Sequence, residues 1–532
     1  MKLLAMAVLV LTGAVMAGCT GGELVDEQPE IKSKTVTLTT TVSMDGAATK
    51  ALTATGVKTF EPGDRIAVVY KNNGGMTVST ESEVLKAEDI SGTGDNLNKI
   101  ATFTVTLDGP EPNTPVRYIY PAHMCNSSVL GTHTIDVTDE ATINYAELEN
   151  HQIGTLDNLA WNFDLAIFDG RMTSDAKLPA SATLENQLVI LAITLLDSGG
   201  NDITETIKDI TVSDGDNEYS ILPNYSVTTF TAPIYVAVRP TSDATITVTA
   251  LTEGTKRYSK ILTGKTYAAS NGYDVSWRME AWESNQYKEG TMNWMYNAVT
   301  FEKKTATNPS PTVVISSDSN VEWGGWYTVT GDNVVINGDV KITGKTYLIL
   351  CDGAQLTVNG TVEANNELYI YGQGAGTGKL FVSCDEDDTA ALVSDYSLNI
   401  HGGDITATST GIAFGLFLHQ GMMVYGGNLT ARSSGSDAII SMTDIYIFGG
   451  RTVATSSAGG CYAINILNSN YRISVYGGYL YAGNPNGAAI NGEVYTDTFE
   501  GVRFYIRDKP EDPWTQANDP NDGYWFKYAK AE

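Results

Sequence analysis

The chain has 532 residues, room for about three or four domains of about 150 residues each, so small size creates no need for disulfide staples. Hydrophobic residues at 42% and charged residues at 18% exclude a disordered chain, while 52 glycines and 28 tyrosines favour strands and tight turns over helices. The net charge of -29 repels phosphate backbones and sets nucleic acid aside as a partner.

Met1-Lys2 is followed by an apolar run from Leu3 to Leu11 and then by Met16-Ala17-Gly18-Cys19. A charge, a short apolar stretch and small residues before a cleavage point describe a secretory signal peptide over 1–18, and the stretch is too short to span a bilayer. A Cys directly after Ala-Gly resembles the lipobox of bacterial lipoproteins, with Met16 where Leu is usual. The resemblance implies that Cys19 becomes the acylated, palmitate-bearing first residue. Its partner is then outer-membrane lipid, each buried methylene contributing about 0.8 kcal/mol. Residues 19–34 are rich in Gly, Glu, Asp and Pro and read as a flexible tether. Glu23, Asp26 and Glu27 within it loosely resemble a surface-export tag.

From residue 35 the pattern turns to strands. Thr35 to Val42 is β-branched and largely alternating, and Arg65 to Tyr70, Ala101 to Leu107 and Val116 to Tyr120 follow. Turn residues separate them, including Pro62-Gly63-Asp64 and Asp108-Gly109-Pro110, and the spacing predicts a β-sandwich over 35–160. A second sandwich is expected over 161–278. Its run from Gln187 to Leu196 is nearly all apolar, as in a strand covered on both faces.

Here Phe60-Glu-Pro-Gly-Asp-Arg-Ile-Ala-Val68 resembles the F-x-x-G-D-x-I segment of the fimbrillin family, and Tyr118-Ile-Tyr-Pro-Ala122 its strand entering a Tyr-Pro-Ala turn. Gly154-Thr155 and Gly264-Lys265-Thr266-Tyr267 stand in the family's order, so the resemblance covers about 35 to 280. It implies two transthyretin-like sandwiches on a lipid-anchored protein of the Gram-negative outer surface. It also implies other pilus subunits as partners, through strand exchange after a proteolytic cut near the N-terminus. Lys50 occupies the place of that cut. The first Arg, Arg65, lies inside an expected strand, which departs from Arg-specific maturation and argues against a stalk subunit.

Residues 279–311 read as a linker ending in Asn308-Pro309-Ser310-Pro311. A repeat follows. Leu398 to Ala407, Met422 to Ala431, Ile445 to Ala454 and Ile473 to Ala482 share an apolar strand, a Gly pair and a second strand. The first glycines stand at 402, 426, 449 and 477, in steps of 24, 23 and 28. A unit this short closes a core only by stacking, which predicts a right-handed parallel β-helix over 312–507 with a cap at 508–532. The Gly pairs are expected at corners where a side chain would crowd the neighbouring rung.

The residues before the Gly pairs, His401, Tyr425, Phe448 and Tyr476, with Tyr371 in a partial copy, are expected to stack as an aromatic ladder. Trp323, Trp326, Tyr327, Tyr425 and Tyr476 are the candidate glycan-binding rings, each weighed against a purely structural role. Asp385-Glu386-Asp387-Asp388 has the oxygens for calcium but reads as a solvated loop. Cys125, Cys351, Cys384 and Cys461 form no CxxC pair and read as free thiols, so no metal or other cofactor is expected. Glycosidases need two carboxylates flanking the bond. Asp404, Asp437 and Asp444 fall at different repeat positions, the five His are dispersed, and no catalytic residue is assigned.

The chain thus reads as all-β: two fimbrillin/transthyretin-like β-sandwiches followed by a parallel β-helix. The expected role is adhesion at the cell surface, toward host or microbial glycans or proteins, as a pilus tip or accessory subunit or alone. The alternative is a glycan-binding surface lipoprotein for nutrient capture, and a β-helix polysaccharide-degrading enzyme stands third.

Overall fold

A computed structural model describes residues 35–44, 59–93, 97–203, 205–223, 229–254, 256–294, 298–386 and 389–496, and beyond these 503–507, 509, 512–516 and 528–531. Cys19 and Lys50 lie outside the described residues. The described chain is all-β apart from two short helices, Tyr145–Asn150 and Leu156–Asn162, and a few 3-10 turns.

The first sandwich is one eight-stranded sheet. Its order is Thr77–Glu81, Ala67–Lys71, Pro115–Tyr120, Ala166–Arg171, Ser181–Asn186, Thr35–Met44, Ile100–Asp108 and Ile90–Ser91. The sheet curls until Ser82 bridges Val105. Ile100–Asp108 shows why: Ala101, Phe103, Val105 and Leu107 point into the core while Thr102 and Thr106 face water. The two segments that carried the family resemblance meet here. Phe60 sits edge-on to Phe103 at 5.5 Å and to Tyr120 at 5.7 Å. The Tyr120 hydroxyl donates to the Asp64 carboxylate at 3.0 Å, and burial beside that carboxylate raises its pKa.

The sequence places the sandwich boundary at 160, but the first sheet runs on to Asn186. Ala166–Arg171 pairs along its length with Pro115–Tyr120, and Ser181 to Leu184 pair in parallel with Thr41 to Met44. Both strands are short and close long loops, so only the tertiary pairing reveals their allegiance. The second sandwich packs a five-stranded sheet on a three-stranded one, whose middle strand, Val189–Leu196, lies between Ile234–Val238 and Gly272–Arg278. Val189, Ile190 and Leu191 are all buried, as the apolar run implied. One apolar cluster joins the two sandwiches, from Ile119 and Ile167 through Leu148 and Leu159 to Leu191 and Val248.

The C-terminal part is a parallel β-solenoid of about seven turns. Three ladders run its length. One carries Val362–Ala364, Leu392–Ser394 and Leu416–Leu418, the next Leu368–Gly372, Leu398–Ile400 and Met422–Val424, and the third Lys379–Cys384, Asp404–Ser409 and Asn428–Ser433. The repeat register holds: Ile400 faces Val424, Val424 faces Ile447, and Ile447 faces Val475. Parallel stacking ends at Glu493–Thr496. Phe504–Arg507, expected in the solenoid, instead pairs antiparallel with Tyr528–Ala531, which pairs antiparallel with Tyr479–Gly483. Reversing the strands ends the stack and covers its open edge.

The stretch 279–311, expected to be a linker, is mostly strand. Glu280–Trp282 joins the second sandwich's sheet, and Gln286–Asn293 with Ala298–Thr305 forms a hairpin. Tyr287 belongs to the solenoid's own apolar cluster. The hairpin's alternation is short and rich in Lys and Glu, which hides its apolar face from a sequence reading.

Candidate functional surface of the solenoid

Each Gly pair turns the chain from the second ladder into the third. At Gly450 the backbone has φ +72°, and a Cβ there would lie 2.3 Å from the Gly427 carbonyl oxygen of the rung before it. Only glycine fits such a corner. The bend brings the preceding rings into line. Tyr371 stacks on His401 at 4.8 Å, His401 on Tyr425 at 4.6 Å with planes 2° apart, and Phe448 on Tyr476 at 5.5 Å. Tyr425 to Phe448, at 5.2 Å, completes the ladder. Each such pair adds about 0.5–1.5 kcal/mol beyond area burial.

The hairpin lies along this ladder. Tyr287 packs on Tyr371 at 4.4 Å and on Trp326 at 5.2 Å. The Gly290 backbone bonds the His401 ring, and a Cβ at Gly290 would lie 2.8 Å from Tyr425 Cβ. Trp294 stands edge-on to Phe448 and Tyr476. Lys304 pairs with Glu289, and Lys288 donates to the Gly374 carbonyl at 2.7 Å. On its other side, Lys303 lies 3.8 Å above the Trp282 ring of the second sandwich and donates to the Ala281 carbonyl. Burial lowers the His401 pKa to about 4 and raises that of Tyr371.

The candidate glycan-binding rings therefore divide. Tyr425 and Tyr476 belong to the corner ladder, where stacking partners occupy their faces. Trp323, Trp326 and Tyr327 come together on the first turn, in Val321–Val329. Trp323 is 7% exposed and stacks on Tyr327 at 5.0 Å. Trp326 begins a second, half-buried stack on the outer face, with Tyr347 at 4.4 Å and Tyr369 beyond it at 5.2 Å. Lys345 lies 4.7 Å from the Tyr369 ring and 2.7 Å from the Glu367 carboxylate. That pairing lowers the Glu367 pKa and raises that of Lys345. Tyr347, Tyr369, Lys345 and Glu367 escaped the sequence reading, although Tyr347 and Tyr369 stand 22 residues apart, close to the repeat step.

Among the described residues no group of three or more His, Cys, Asp or Glu is placed to hold a metal ion. Asp387 and Asp388 of the acidic loop lie outside the described residues. Cys125, Cys351, Cys384 and Cys461 are free thiols, with Cys351 and Cys384 buried. No helix among the described residues is long and apolar enough to cross a membrane.

Fold and surface together define an all-β chain of two sandwiches and a solenoid. Comparison with protein-family models gives no match, and comparison with curated proteins gives none. Among solved structures the chain is similar to a fimbrial assembly protein from Parabacteroides distasonis, at 11% identity and TM-score 0.26, covering 51% of this chain and 100% of that one. It is similar to the C-terminally truncated tip fimbrial protein from Porphyromonas gingivalis, at 12% identity and TM-score 0.19, covering 51% and 99%. It is also similar to a fimbrial protein from Bacteroides ovatus, at 13% identity and TM-score 0.21, covering 47% and 51%. At these TM-scores the likeness carries no functional argument.

Proposed function

We propose that this is a lipid-anchored, surface-exposed protein of fimbrial type that acts in adhesion and presents its solenoid as the outward module. The observation that carries the reading is the meeting of the two resemblance segments, Phe60 on Tyr120 and Tyr120 on Asp64, inside the first sandwich. The Met16 to Cys19 segment supports the anchor, with acyl chains on Cys19 in outer-membrane lipid. A pilus role has a physical route. Thr35–Met44 lies between Ile100–Asp108 and Ser181 to Leu184, so a cut at Lys50 that released it together with Cys19 and its acyl chains would open a slot for a neighbouring subunit's strand, while the uncut chain stays anchored. The solenoid after the sandwiches suits a tip or accessory position better than a stalk. No catalytic role is assigned.

The glycan-capture reading rests on the outer stack of Trp326, Tyr347 and Tyr369 beside Lys345 and Glu367. Fractionation of cells carrying Cys19→Ser tests the anchor: the variant is expected to leave the membrane fraction, and parental retention would refute it. Immunogold labelling then separates fibre tips from a uniform surface coat. Glycan-array binding lost on Trp326→Ala would favour capture.

A further inference from the structure

We propose that the junction between the second sandwich and the solenoid is a binding site for one neutral, polyhydroxylated sugar residue; this deepens the adhesion reading and rests on it. A cavity of about 210 Å³ opens there. Asp209, Thr211 and Thr249 line it from the sandwich, and Asp332, Gln355 and Thr377 from the solenoid. Pockets for drug-sized ligands hold about 300–1,000 Å³, so this one has room for a single ring and not for a chain.

The junction is built rather than incidental. The Asp352 carboxylate is buried and accepts from the backbone nitrogens of Ala375 and Gly376 at 2.8 Å, which fixes the loop leading to Thr377. Arg257, reaching across from the sandwich, donates to the carbonyls of Asp352 and Thr330. Lys379 pairs with Glu218 at 3.0 Å and ties the two walls together at one side.

The chemistry of the lining selects the ligand class. An anion would meet Asp209, Asp332 and Glu218, while Lys379, the one cation among the described lining residues, is already paired with Glu218 and Arg257 does not line the cavity. A bare cation would meet the positive charge of Arg257, which acts on Asp209, and no three-ligand set stands there among the described residues. An apolar ligand would strand hydroxyls, an amide and carboxyls without partners. A sugar ring supplies donors and acceptors around its whole rim and so matches walls that alternate both. Burial pushes Asp209 up to about 6, against the pull of Arg257 and Lys208 and with Asp332 acting in the same sense. Near pH 6 its carboxyl is therefore divided between donating and accepting, and at neutral pH it mostly accepts.

The test is saturation-transfer NMR and titration of the full-length, detergent-solubilised protein with the methyl glycosides of glucose, galactose and mannose and with N-acetylglucosamine. At least one is expected to bind, with affinity at least tenfold weaker in Thr249→Val and in Gln355→Ala and unchanged in Trp161→Ala, an exposed ring that does not line the cavity. Should Thr249→Val fail to fold, Thr377→Val tests the opposite wall beside Gln355→Ala. Absence of binding by all four sugars, loss on Trp326→Ala with the junction variants unaffected, or displacement by inorganic phosphate or calcium chloride overturns the proposal. Gln355→Ala is expected to keep parental membrane retention and surface labelling, so a failed sugar site is distinguishable from a failed surface location.

Discussion

The His401 ring nitrogen Nδ1 lies 3.2 Å from the backbone nitrogen of Gly290 and 3.1 Å from its carbonyl oxygen, binding the hairpin to the second ring of the corner ladder. One contact between residues 111 positions apart thus converts an expected connector into a brace between sandwich and solenoid.

This contact predicts an acid sensitivity. The folded pKa of His401, about 4, lies below the 6.5 of a free imidazole because burial disfavours the charged ring, with Glu289 opposing and Lys304 assisting. Between these values the unfolded chain binds more protons. The neutral ring's contribution is therefore present above about pH 6.5 and is lost as pH falls toward 4. His401→Phe, which keeps the stack, is expected to flatten the dependence of the melting temperature on pH between those two values, and an unchanged slope would count against this origin.

Gly290 itself leaves no room. A Cβ there would lie 2.8 Å from Tyr425 and 3.0 Å from the Phe301 ring, so Gly290→Ala is expected to destabilise by about 1–3 kcal/mol. Hydrogen exchange should show the hairpin amides losing protection before those of the solenoid interior.

Two glycines with similar backbones separate strain from crowding. At Gly450 (φ +72°) an added methyl group would meet the Gly427 carbonyl oxygen at 2.3 Å, while at Gly460 (φ +76°) it would meet nothing within 4 Å. Gly460→Ala is expected to cost about 1 kcal/mol, from the left-handed conformation alone. Gly450→Ala should cost several-fold more in denaturant titrations, and equal costs would contradict the corner argument.

Asp352 joins the two modules. Replacing it with Ala leaves the nitrogens of Ala375, Gly376 and Thr377 without their acceptor, at a cost of about 2–4 kcal/mol. Limited proteolysis should then cut first in the 373–377 loop, and cleavage elsewhere would argue against a local role.

Asp209 has the opposite sign to His401. Burial raises its pKa from 3.8 to about 6, so the folded chain binds more protons in that window and stability falls as pH rises through it. Asp209→Asn is expected to raise the melting temperature above that window, at about pH 7.5, and to leave it nearly unchanged at about pH 4.

Residue order alone determined the solenoid. Its strands alternate with period two, its Gly pairs recur at 402, 426, 449 and 477, and each rung contacts its immediate neighbours, so a local pattern specifies both register and corner ladder. The strands of the sandwiches were legible for the same reason. Tertiary structure alone decided which sheet Ala166–Arg171 joins, where Gln286–Asn293 lies and which rings keep an open face. These depend on partners far along the chain, and a short strand with charged outer positions carries no mark of the surface it will cover.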